Sequence, residues 1–165
     1  MSSSTAESLT AAVLTVSDSS ARGERSDLSG PAVAEALRKA GFEVVVTEII
    51  SDDQVPIQKA IARLAGKARL VVTTGGTGVA KRDVTPEASR AVCDRLLEGV
   101  AEKMRFEGGK KTRFAALSRG ICGVRGESVI LNLPGSPAGA VDSLNAVIDL
   151  MPHALQLLSG NTKHQ

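Results

Sequence analysis

The glycine-rich run Gly75-Gly76-Thr77-Gly78 is the strongest local indication of chemistry in the sequence. Glycines allow backbone conformations with positive φ and leave amide N–H groups free to point at an anion. The run lacks the lysine of a Walker A loop and the spacing of the dinucleotide-binding fingerprint. Because glycine is also the ordinary turn residue, the run alone is consistent with either a phosphate-binding loop or a plain turn.

Two aspartates favour the phosphate-binding interpretation. Asp83 follows Gly78 by five residues, and Asp52 follows a predicted strand. A carboxylate beside an anion-binding loop would repel phosphate unless a divalent cation lay between them. Mg²⁺ binds in this way, through one or two carboxylates together with substrate phosphates. Simpler roles stay open: Asp53 would cap the helix that follows it, and Asp83 would be an acid at a helix start.

Further polar residues also follow predicted strands. Ser17 and Asp18 end the first strand, where an Asx-turn is the simpler role for Asp18. Ser118 and Arg119 follow a short predicted strand over Phe114–Leu117, and a guanidinium pairs well with phosphate. Five lysines and arginines at positions 103 to 113 are typical of a solvated helix face, or alternatively of a positive wall for a phosphorylated substrate.

Strands and helices alternate along the chain. Nearly continuous apolar, β-branched runs predict four strands that are buried on both faces. Between them, apolar residues recur at helical spacing, as in a helix that starts at Thr85-Pro86 and another that starts after Pro137. This alternation predicts an α/β fold with three layers, in which helices cover both faces of a mostly parallel sheet. The predicted strands are Ala11–Ser17, Glu43–Ile50, Leu70–Thr74 and Ser128–Leu133.

The ends of these strands bring the candidate residues to one place. Ligands of parallel sheets bind at the carboxyl ends of the strands. The four strands lead into Ser17-Asp18, Asp52, the glycine-rich run and Pro134-Gly135-Ser136. We therefore expect one rim of the sheet to carry carboxylates, hydroxyls and backbone amides.

The composition excludes several classes of protein. The chain has 165 residues, 42% of them apolar and 23% charged, which fits a folded domain and excludes a disordered chain. Its net charge is +2, and it has three Phe and no Trp or Tyr, so we expect no nucleic acid partner. No apolar run exceeds four residues, so we expect no membrane association and a cytoplasmic protein.

The chain is predicted to be one α/β domain over residues 11–160, with a disordered tail at residues 1–10 and a second tail at residues 161–165. Cys93 and Cys122 lack metal-binding spacing and are expected to be buried, inert thiols. The sequence has no nucleophile elbow, so covalent catalysis by a side chain is not favoured. The residues alone indicate a domain that binds a phosphorylated ligand with Mg²⁺ through carboxylates and backbone amides.

A series of short motifs occurs in order from about Ala11 to Gly160. They are Thr15-Val16-Ser17-Asp18, Asp27-Leu28-Ser29-Gly30-Pro31, Thr73-Thr74-Gly75-Gly76-Thr77-Gly78, Arg82-Asp83-Val84-Thr85-Pro86-Glu87-Ala88, Leu117-Ser118-Arg119 and Leu133-Pro134-Gly135-Ser136-Pro137. Together they resemble the molybdopterin adenylyltransferase family of molybdenum cofactor biosynthesis, to which the gephyrin G domain is related.

The resemblance implies a reaction in which Mg-ATP and molybdopterin give adenylylated molybdopterin and pyrophosphate, before a downstream molybdate-insertion protein acts. It implies a homotrimer, and it assigns Asp52 and Asp83 as the catalytic carboxylates that hold Mg²⁺. The implied nucleotide-binding residues are Gly75, Gly76, Thr77, Gly78, Pro134, Gly135 and Ser136, and the implied pterin- or phosphate-binding residues are Ser17, Asp18, Ser118 and Arg119. A noncatalytic molybdopterin-binding or scaffold module, and the same step for the tungsten cofactor, are the alternatives.

Overall fold

The computed structural model describes residues 8–160, in which one mixed sheet lies between two layers of helices. The strands are β1 (Thr10–Val16), β2 (Glu43–Ile50), β3 (Leu70–Thr74), β4 (Arg95–Leu96), β5 (Cys122–Arg125) and β6 (Ser128–Leu133). Their order in the sheet is β2-β1-β3-β6-β5-β4. The first four strands in this order are parallel, whereas β5 pairs antiparallel with both β6 and β4. The predicted mostly parallel α/β fold is confirmed.

Helices cover both faces of the sheet. They are α1 (Asp18–Ala21), α2 (Ser29–Lys39), α3 (Gln54–Ala65), α4 (Thr85–Val92), α5 (Glu98–Gly109), α6 (Pro137–Val147) and α7 (Met151–Leu158). Helices α2, α5, α6 and α7 pack into the core on one face, while α3 and α4 pack into the core on the other. In the described part of the chain, no helix combines the length and apolarity that a bilayer span requires.

The apolar runs form the centre of the sheet, because a strand covered on both faces needs apolar residues at consecutive positions. β3 is buried along its whole length, and so is β6. In β1, Ala11 and Val13 join the core on one face, and Ala12 and Leu14 join the core on the other. The alternation of side chains along a strand thus supplies both cores from the same run of residues.

The carboxyl ends of the four parallel strands meet at one edge, as predicted. Ser17 N–H donates to the carbonyl of Ile50 at 2.8 Å, which joins the ends of β1 and β2. Gly75 N–H donates to the carbonyl of Leu133 at 3.1 Å, which joins the ends of β3 and β6. The segments that follow these strands therefore start side by side.

Strand β2 differs from its prediction. Its exposure alternates along the strand, and Val45 and Ile49 keep 40% and 48% of their surface exposed. β2 is at the edge of the sheet, where the helices cover its faces only in part. The prediction that all four strands are buried on both faces is therefore wrong for β2.

A second difference concerns the predicted strand Phe114–Leu117, which is a 3-10 helix over Arg113–Leu117. The Thr112 hydroxyl begins it by accepting a hydrogen bond from Phe114 N–H at 3.3 Å. Apolar runs this short do not distinguish a strand from a helix. Ser118 and Arg119 consequently follow a helical turn instead of a strand.

The described domain starts slightly earlier than predicted. Thr10 begins β1, its hydroxyl accepts a hydrogen bond from Arg69 N–H at 3.0 Å, and Leu9 packs against the core. The prediction of a disordered tail is therefore wrong for Leu9 and Thr10. Residues 1–7 and 161–165, which make up most of the predicted tails, lie outside the described residues.

The two cysteines lie on different faces of the sheet, and the expected burial is confirmed for Cys122 but wrong for Cys93, which is only partly buried. Cys122 is buried on the face covered by α5 and α6, whereas Cys93 packs against the core on the face covered by α3. Burial raises the pKa of the Cys93 thiol to about 11. Burial also raises the pKa of the Cys122 thiol to about 12.

We expect both thiols to react slowly with iodoacetamide in the folded protein at pH 8. The thiolate is the nucleophile, and at this pH only about one Cys93 thiol in a thousand is ionised. Raising the pH should increase the labelling rate of Cys93 about tenfold per unit below its pKa. Mass spectrometry measures the labelling, with guanidinium-unfolded protein as the control; rapid labelling of the native protein at pH 8 would contradict the assignment.

Candidate active site

The glycine-rich segment after β3 forms a tight loop whose glycines are required by its backbone. Gly75 and Gly76 have φ angles of 99° and 70°, a region that favours glycine. A Cβ at Gly75 would overlap the carbonyl oxygen of Val16, and a Cβ at Gly76 would overlap the hydroxyl of Thr85. Thr85 closes the loop, since its N–H donates to the carbonyl of Gly76 at 3.1 Å and its hydroxyl donates to that of Gly75 at 3.0 Å.

Two cavities meet at this loop. They have volumes of about 550 and about 480 Å³. The residues that line both are Gly76, Asp83, Gly135 and Ser136. The first cavity extends over α5 and the 3-10 helix and has apolar walls, which include Met104, Phe114 and Leu117. The second extends toward the start of α2 and is lined by hydroxyl groups, which include those of Ser17, Ser20, Ser26 and Ser29.

Asp52 and Asp83 lie against opposite parts of the glycine-rich loop. A Cβ at Gly76 would lie 3.2 Å from Oδ1 of Asp52, and a Cβ at Gly78 would lie 2.8 Å from Oδ2 of Asp83. Both aspartates line the second cavity, and Asp83 lines the first as well. The structure therefore brings the two predicted carboxylates together beside the loop.

The side chains of Asp53 and Asp83 do not cap the helices that follow them. Asp53 occupies the N-cap position of α3, but its side chain makes no capping hydrogen bond and instead pairs with Arg82 at 3.3 Å. The N-cap of α4 is Val84, so Asp83 lies before that helix, where its Oδ2 accepts a hydrogen bond from Ala80 N–H at 2.9 Å. The capping role considered for Asp53 is wrong, and the Asp83 carboxylate belongs to the loop.

Asp18 fixes the position of Asp52. Asp18 N–H donates to Oδ2 of Asp52, and Asp52 N–H donates to Oδ1 of Asp18, both at 2.9 Å. Arg82 then donates to both carboxylate oxygens of Asp18, at 2.8 and 3.0 Å. Asp18 lines neither of the two cavities, so its placement differs from the predicted contact with pterin or phosphate.

The electrostatics of these two aspartates differ. The hydrogen bonds from Arg82 lower the pKa of Asp18, whose carboxylate is also bonded to the Asp52 amide. Burial raises the pKa of Asp52, and the negative charges of Asp18 and Asp83 raise it further. Positive charge beside Asp52 and Asp83 would therefore stabilise the ionised form of Asp52.

The donor set fits Mg²⁺ held jointly by protein and substrate. Within residues 8–160, no group of three or more His, Cys, Asp or Glu side chains is arranged to hold a metal. Asp52 and Asp83 provide two carboxylates beside a loop that faces a cavity, and Mg²⁺ takes its other ligands from phosphate oxygens and water. Asp52 and Asp83 alone do not enclose a metal ion, so the phosphates of a substrate would complete its coordination.

The turn after β6 completes the shared edge of the cavities. The Thr74 hydroxyl donates to the carbonyl of Pro134 at 2.7 Å, and a Cβ at Gly135 would lie 3.3 Å from Cα of Gly75. The Ser136 hydroxyl caps α6 by accepting a hydrogen bond from Gly139 N–H at 3.2 Å. This turn therefore packs against the glycine-rich loop.

The other predicted contact residues have different placements. Thr77, Gly78 and Ser118 line the first cavity, and Ser17 lines the second, where its hydroxyl accepts a hydrogen bond from Ser20 N–H at 3.2 Å. Arg119 lines neither cavity, and its guanidinium is bonded to protein carbonyl and carboxylate groups. The contact of Arg119 with phosphate stays a prediction.

Sequence reasoning missed the roles of Arg82 and Asp27. Arg82 joins the ends of β1 and β2 through Asp18 and Asp53. Asp27 accepts hydrogen bonds from the Thr15 hydroxyl at 2.8 Å and from Gly30 N–H at 2.9 Å, and so fixes the start of α2 beside the second cavity. Both residues lie in motifs that the sequence had already singled out, but Asp18 and Asp53 are distant from Arg82 in the chain, and Thr15 lies in a different motif from Asp27.

A glycine-rich loop, paired carboxylates and a hydroxyl-lined cavity at the carboxyl ends of parallel strands are features suited to phosphorylated ligands, and they place the chain among the α/β domains with a site at this edge of the sheet. Residues 12–153 match the family described as "Probable molybdopterin binding domain". The molybdopterin adenylyltransferase of Helicobacter pylori strain J99 is 40% identical over 153 residues, which cover 90% of this chain and 87% of that protein.

Solved structures give the same relationship. The molybdopterin biosynthesis enzyme MoaB of Thermus thermophilus is 49% identical with a TM-score of 0.87, over 92% of this chain and 97% of that one. The tungsten cofactor synthesizing protein MoaB of Pyrococcus furiosus is 33% identical with a TM-score of 0.84, and the match covers 92% of this chain and 98% of that one. The chain belongs to the molybdopterin adenylyltransferase family, a family of nucleotidyltransferases in molybdenum cofactor biosynthesis.

Proposed function

We propose that this protein transfers the adenylyl group of Mg-ATP to molybdopterin, which gives adenylyl-molybdopterin and pyrophosphate. The observation that carries the proposal is the meeting of two unlike cavities at Gly76 and Asp83, with Asp52 beside them. A transfer between two substrates needs two binding regions that share one reacting point. The membership of the chain in the adenylyltransferase family supports the same reaction.

The chemistry requires no protein nucleophile. An oxygen of the terminal phosphate of molybdopterin attacks the α-phosphorus of ATP, the new P–O bond forms, and pyrophosphate leaves with the electrons of the broken bond. The protein must hold two polyanions in line and stabilise their charge. Backbone N–H groups of the glycine-rich loop bind phosphate oxygens, and the reciprocal bonds between Asp18 and Asp52 fix one carboxylate. Asp52 and Asp83 would hold Mg²⁺ together with the phosphates, and the bound ion would supply positive charge.

The decisive assay mixes the purified protein with ATP and molybdopterin and measures pyrophosphate and adenylyl-molybdopterin, with and without Mg²⁺. We expect both products in equal amounts, and only when Mg²⁺ is present. An ATP analogue with a methylene group between the α- and β-phosphorus is the control, since its bond to the leaving group is not cleaved. Tight molybdopterin binding without either product would favour the noncatalytic binding or scaffold module.

The similarity to the Pyrococcus protein supports a second candidate, the same step for the tungsten cofactor. Adenylylation precedes metal insertion, so the assay with purified components gives the same result for both. Metal analysis of the cofactor made in cells that depend on this chain, supplied with molybdate and tungstate in equal amounts, distinguishes them. Preference for molybdenum supports the first candidate, and preference for tungsten supports the second.

We further propose that the product passes to a molybdate-insertion protein and that the reaction takes place in the cytoplasm, where ATP is available. Molybdopterin and ATP are then the small-molecule partners. The protein partners are the insertion protein and two further copies of this chain in a homotrimer. Copurification of tagged protein from a cytoplasmic fraction with an enzyme that consumes adenylyl-molybdopterin tests the first part. Recovery of the tagged protein only with membranes would contradict the cytoplasmic location.

We expect a homotrimer in solution. Val79, Phe114 and Leu117 are exposed apolar side chains that line the first cavity, and Phe106 of α5 is exposed as well. Such a surface is suited to contact between subunits. Sedimentation equilibrium at micromolar concentration should give three times the monomer mass of 17.1 kDa. A stable monomer under these conditions would contradict the prediction.

A further inference from the structure

We infer that Arg119 and Glu87 form a clamp that fixes the loop Gly78–Asp83, and with it the Asp83 carboxylate. The inference rests on the proposed function for its catalytic consequence, although the clamp itself is a matter of structure. Arg119 is then a positioning residue and not a ligand of substrate phosphate. This role explains why Arg119 lines neither of the two cavities that meet at the loop.

A single guanidinium binds both ends of the loop. Nε of Arg119 donates to the carbonyl of Gly78 at 2.7 Å, and Nη2 donates to the carbonyl of Asp83 at 2.7 Å. The main-chain N–H of Arg119 also donates to the carbonyl of Thr77 at 2.8 Å. Because the guanidinium is planar and rigid, these bonds set the separation of the two loop ends as well as their positions.

Glu87 fixes the guanidinium from the other side. Both carboxylate oxygens of Glu87 lie 2.8 Å from Nη1 of Arg119. Glu87 belongs to the first turn of α4, so the clamp joins the loop to a helix that packs into the core. The ion pair also compensates the positive charge of Arg119, which makes this arginine a poor attractor of a substrate anion.

The orientation of the catalytic carboxylate depends on the shape of this loop. Ala80 N–H donates to Oδ2 of Asp83 at 2.9 Å, and Asp83 N–H donates to the carbonyl of Ala80 at 3.0 Å. Val79, in the same loop, is 70% exposed, so packing contributes little to holding this part of the chain. The anchors at the two ends therefore determine where the Asp83 carboxylate lies.

Arg119→Gln tests the clamp, and Arg63→Gln is its matched control. Arg63 likewise pairs with a glutamate, since two of its nitrogens donate to the carboxylate of Glu48 at 2.7 Å, and it lines neither of the cavities that meet at Gly76. Both ion pairs are partly exposed to solvent, so loss of either should leave the global fold intact, and the effect of Arg119→Gln should be confined to the loop. Glu87→Gln is a milder variant that keeps one acceptor for Arg119 and should give the same changes at smaller size.

The first readout is amide hydrogen exchange, which needs no activity. In Arg119→Gln the amides of Ala80, Asp83 and Thr85 should exchange about tenfold faster or more, while those of β3 stay unchanged. Arg63→Gln should show none of these changes. Unchanged exchange at the three amides in Arg119→Gln would overturn the clamp.

The second readout is steady-state kinetics with ATP and molybdopterin. A misplaced Asp83 should reduce kcat by about tenfold to hundredfold, since small errors in position are costly, while KM for both substrates stays within about twofold. Arg119→Lys should not restore kcat, because one ammonium group does not reach both carbonyls in the same geometry. A rise in KM with unchanged kcat would show direct phosphate contact and overturn the inference. An inactive wild-type protein would count against the proposed function alone, and the exchange data would still decide the clamp.

Discussion

Replacing either Asp83 or Asp52 with asparagine should abolish most of the adenylylation activity while the fold and molybdopterin binding persist. Asparagine keeps an oxygen that can accept the hydrogen bonds from Ala80 N–H and from Asp18 N–H, so the local structure is maintained. Each substitution removes one negative charge from the site proposed for Mg²⁺. Metal charge stabilisation is worth several kcal/mol and each 1.4 kcal/mol is about tenfold in rate, so turnover should fall by about hundredfold or more.

Asp53→Asn is the matched control for both variants. Asp53 follows Asp52 directly, but its carboxylate is exposed and pairs only weakly with Arg82 at 3.3 Å. It lines neither cavity at the loop, so Asp53→Asn should leave turnover within about twofold. Turnover is measured at saturating ATP and Mg²⁺, and molybdopterin binding by equilibrium titration. Turnover in Asp83→Asn and Asp52→Asn close to that of the control would remove the metal role from both residues.

The parts of this fold that could be predicted from sequence are those governed by burial. Runs such as Leu70–Thr74 and Ser128–Leu133 are apolar or β-branched because both faces of each strand are covered, and that pattern is visible without a structure. The rule that ligands bind at the carboxyl ends of parallel strands then placed Asp52, Asp83 and the glycine-rich loop at one edge. The two carboxylates do lie against that loop.

Short elements could not be predicted in the same way. Strand β4 has two residues, and β5 contains Gly123 between Cys122 and Val124. Their formation depends on pairing, of β5 with β6 and of β4 with β5, and not on any pattern of their own. The Phe114–Leu117 run is apolar and therefore compatible with a buried strand, but the Thr112 cap begins a 3-10 helix there. Pairing partners and caps decide such segments, and neither is evident from an apolar run of four residues.

The partners of charged side chains were the hardest features to predict. An arginine after an apolar segment is compatible with binding phosphate, a carboxylate or a carbonyl group. In the folded chain Arg119 reaches Gly78, which is 41 residues away, and Arg82 reaches Asp18, which is 64 residues away. These distances in the chain explain why Asp18 and Arg119 were predicted as ligand contacts, whereas in the structure both are bonded to other parts of the protein.

Gly76→Ala should reduce ATP affinity as well as the stability of the fold. Gly76 has a φ of 70°, so any side chain there is strained by about 1–2 kcal/mol. The added methyl group would also overlap the hydroxyl of Thr85, which closes the loop, and would lie 3.2 Å from Oδ1 of Asp52. Thr85 is fully buried and has little room to move away. The loop must therefore change shape, and its amides would no longer face the phosphates.

Gly126→Ala separates strain from damage to the site. Gly126 has a φ of 58°, and a Cβ there would meet nothing within 4 Å. It lies in the turn between β5 and β6, outside the two cavities that meet at the loop.

Urea unfolding should show that the free energy of unfolding falls by about 1–2 kcal/mol in Gly126→Ala and by more in Gly76→Ala, because only Gly76→Ala adds an overlap to the strain. Isothermal titration with Mg-ATP should show wild-type affinity in Gly126→Ala and a reduction of about tenfold or more in Gly76→Ala. A reduction of this size is expected when one or two charge-assisted hydrogen bonds to phosphate are removed. Equal ATP affinity in the two variants would mean that the glycines serve only the turn, and the phosphate-binding role of the loop would have to be abandoned.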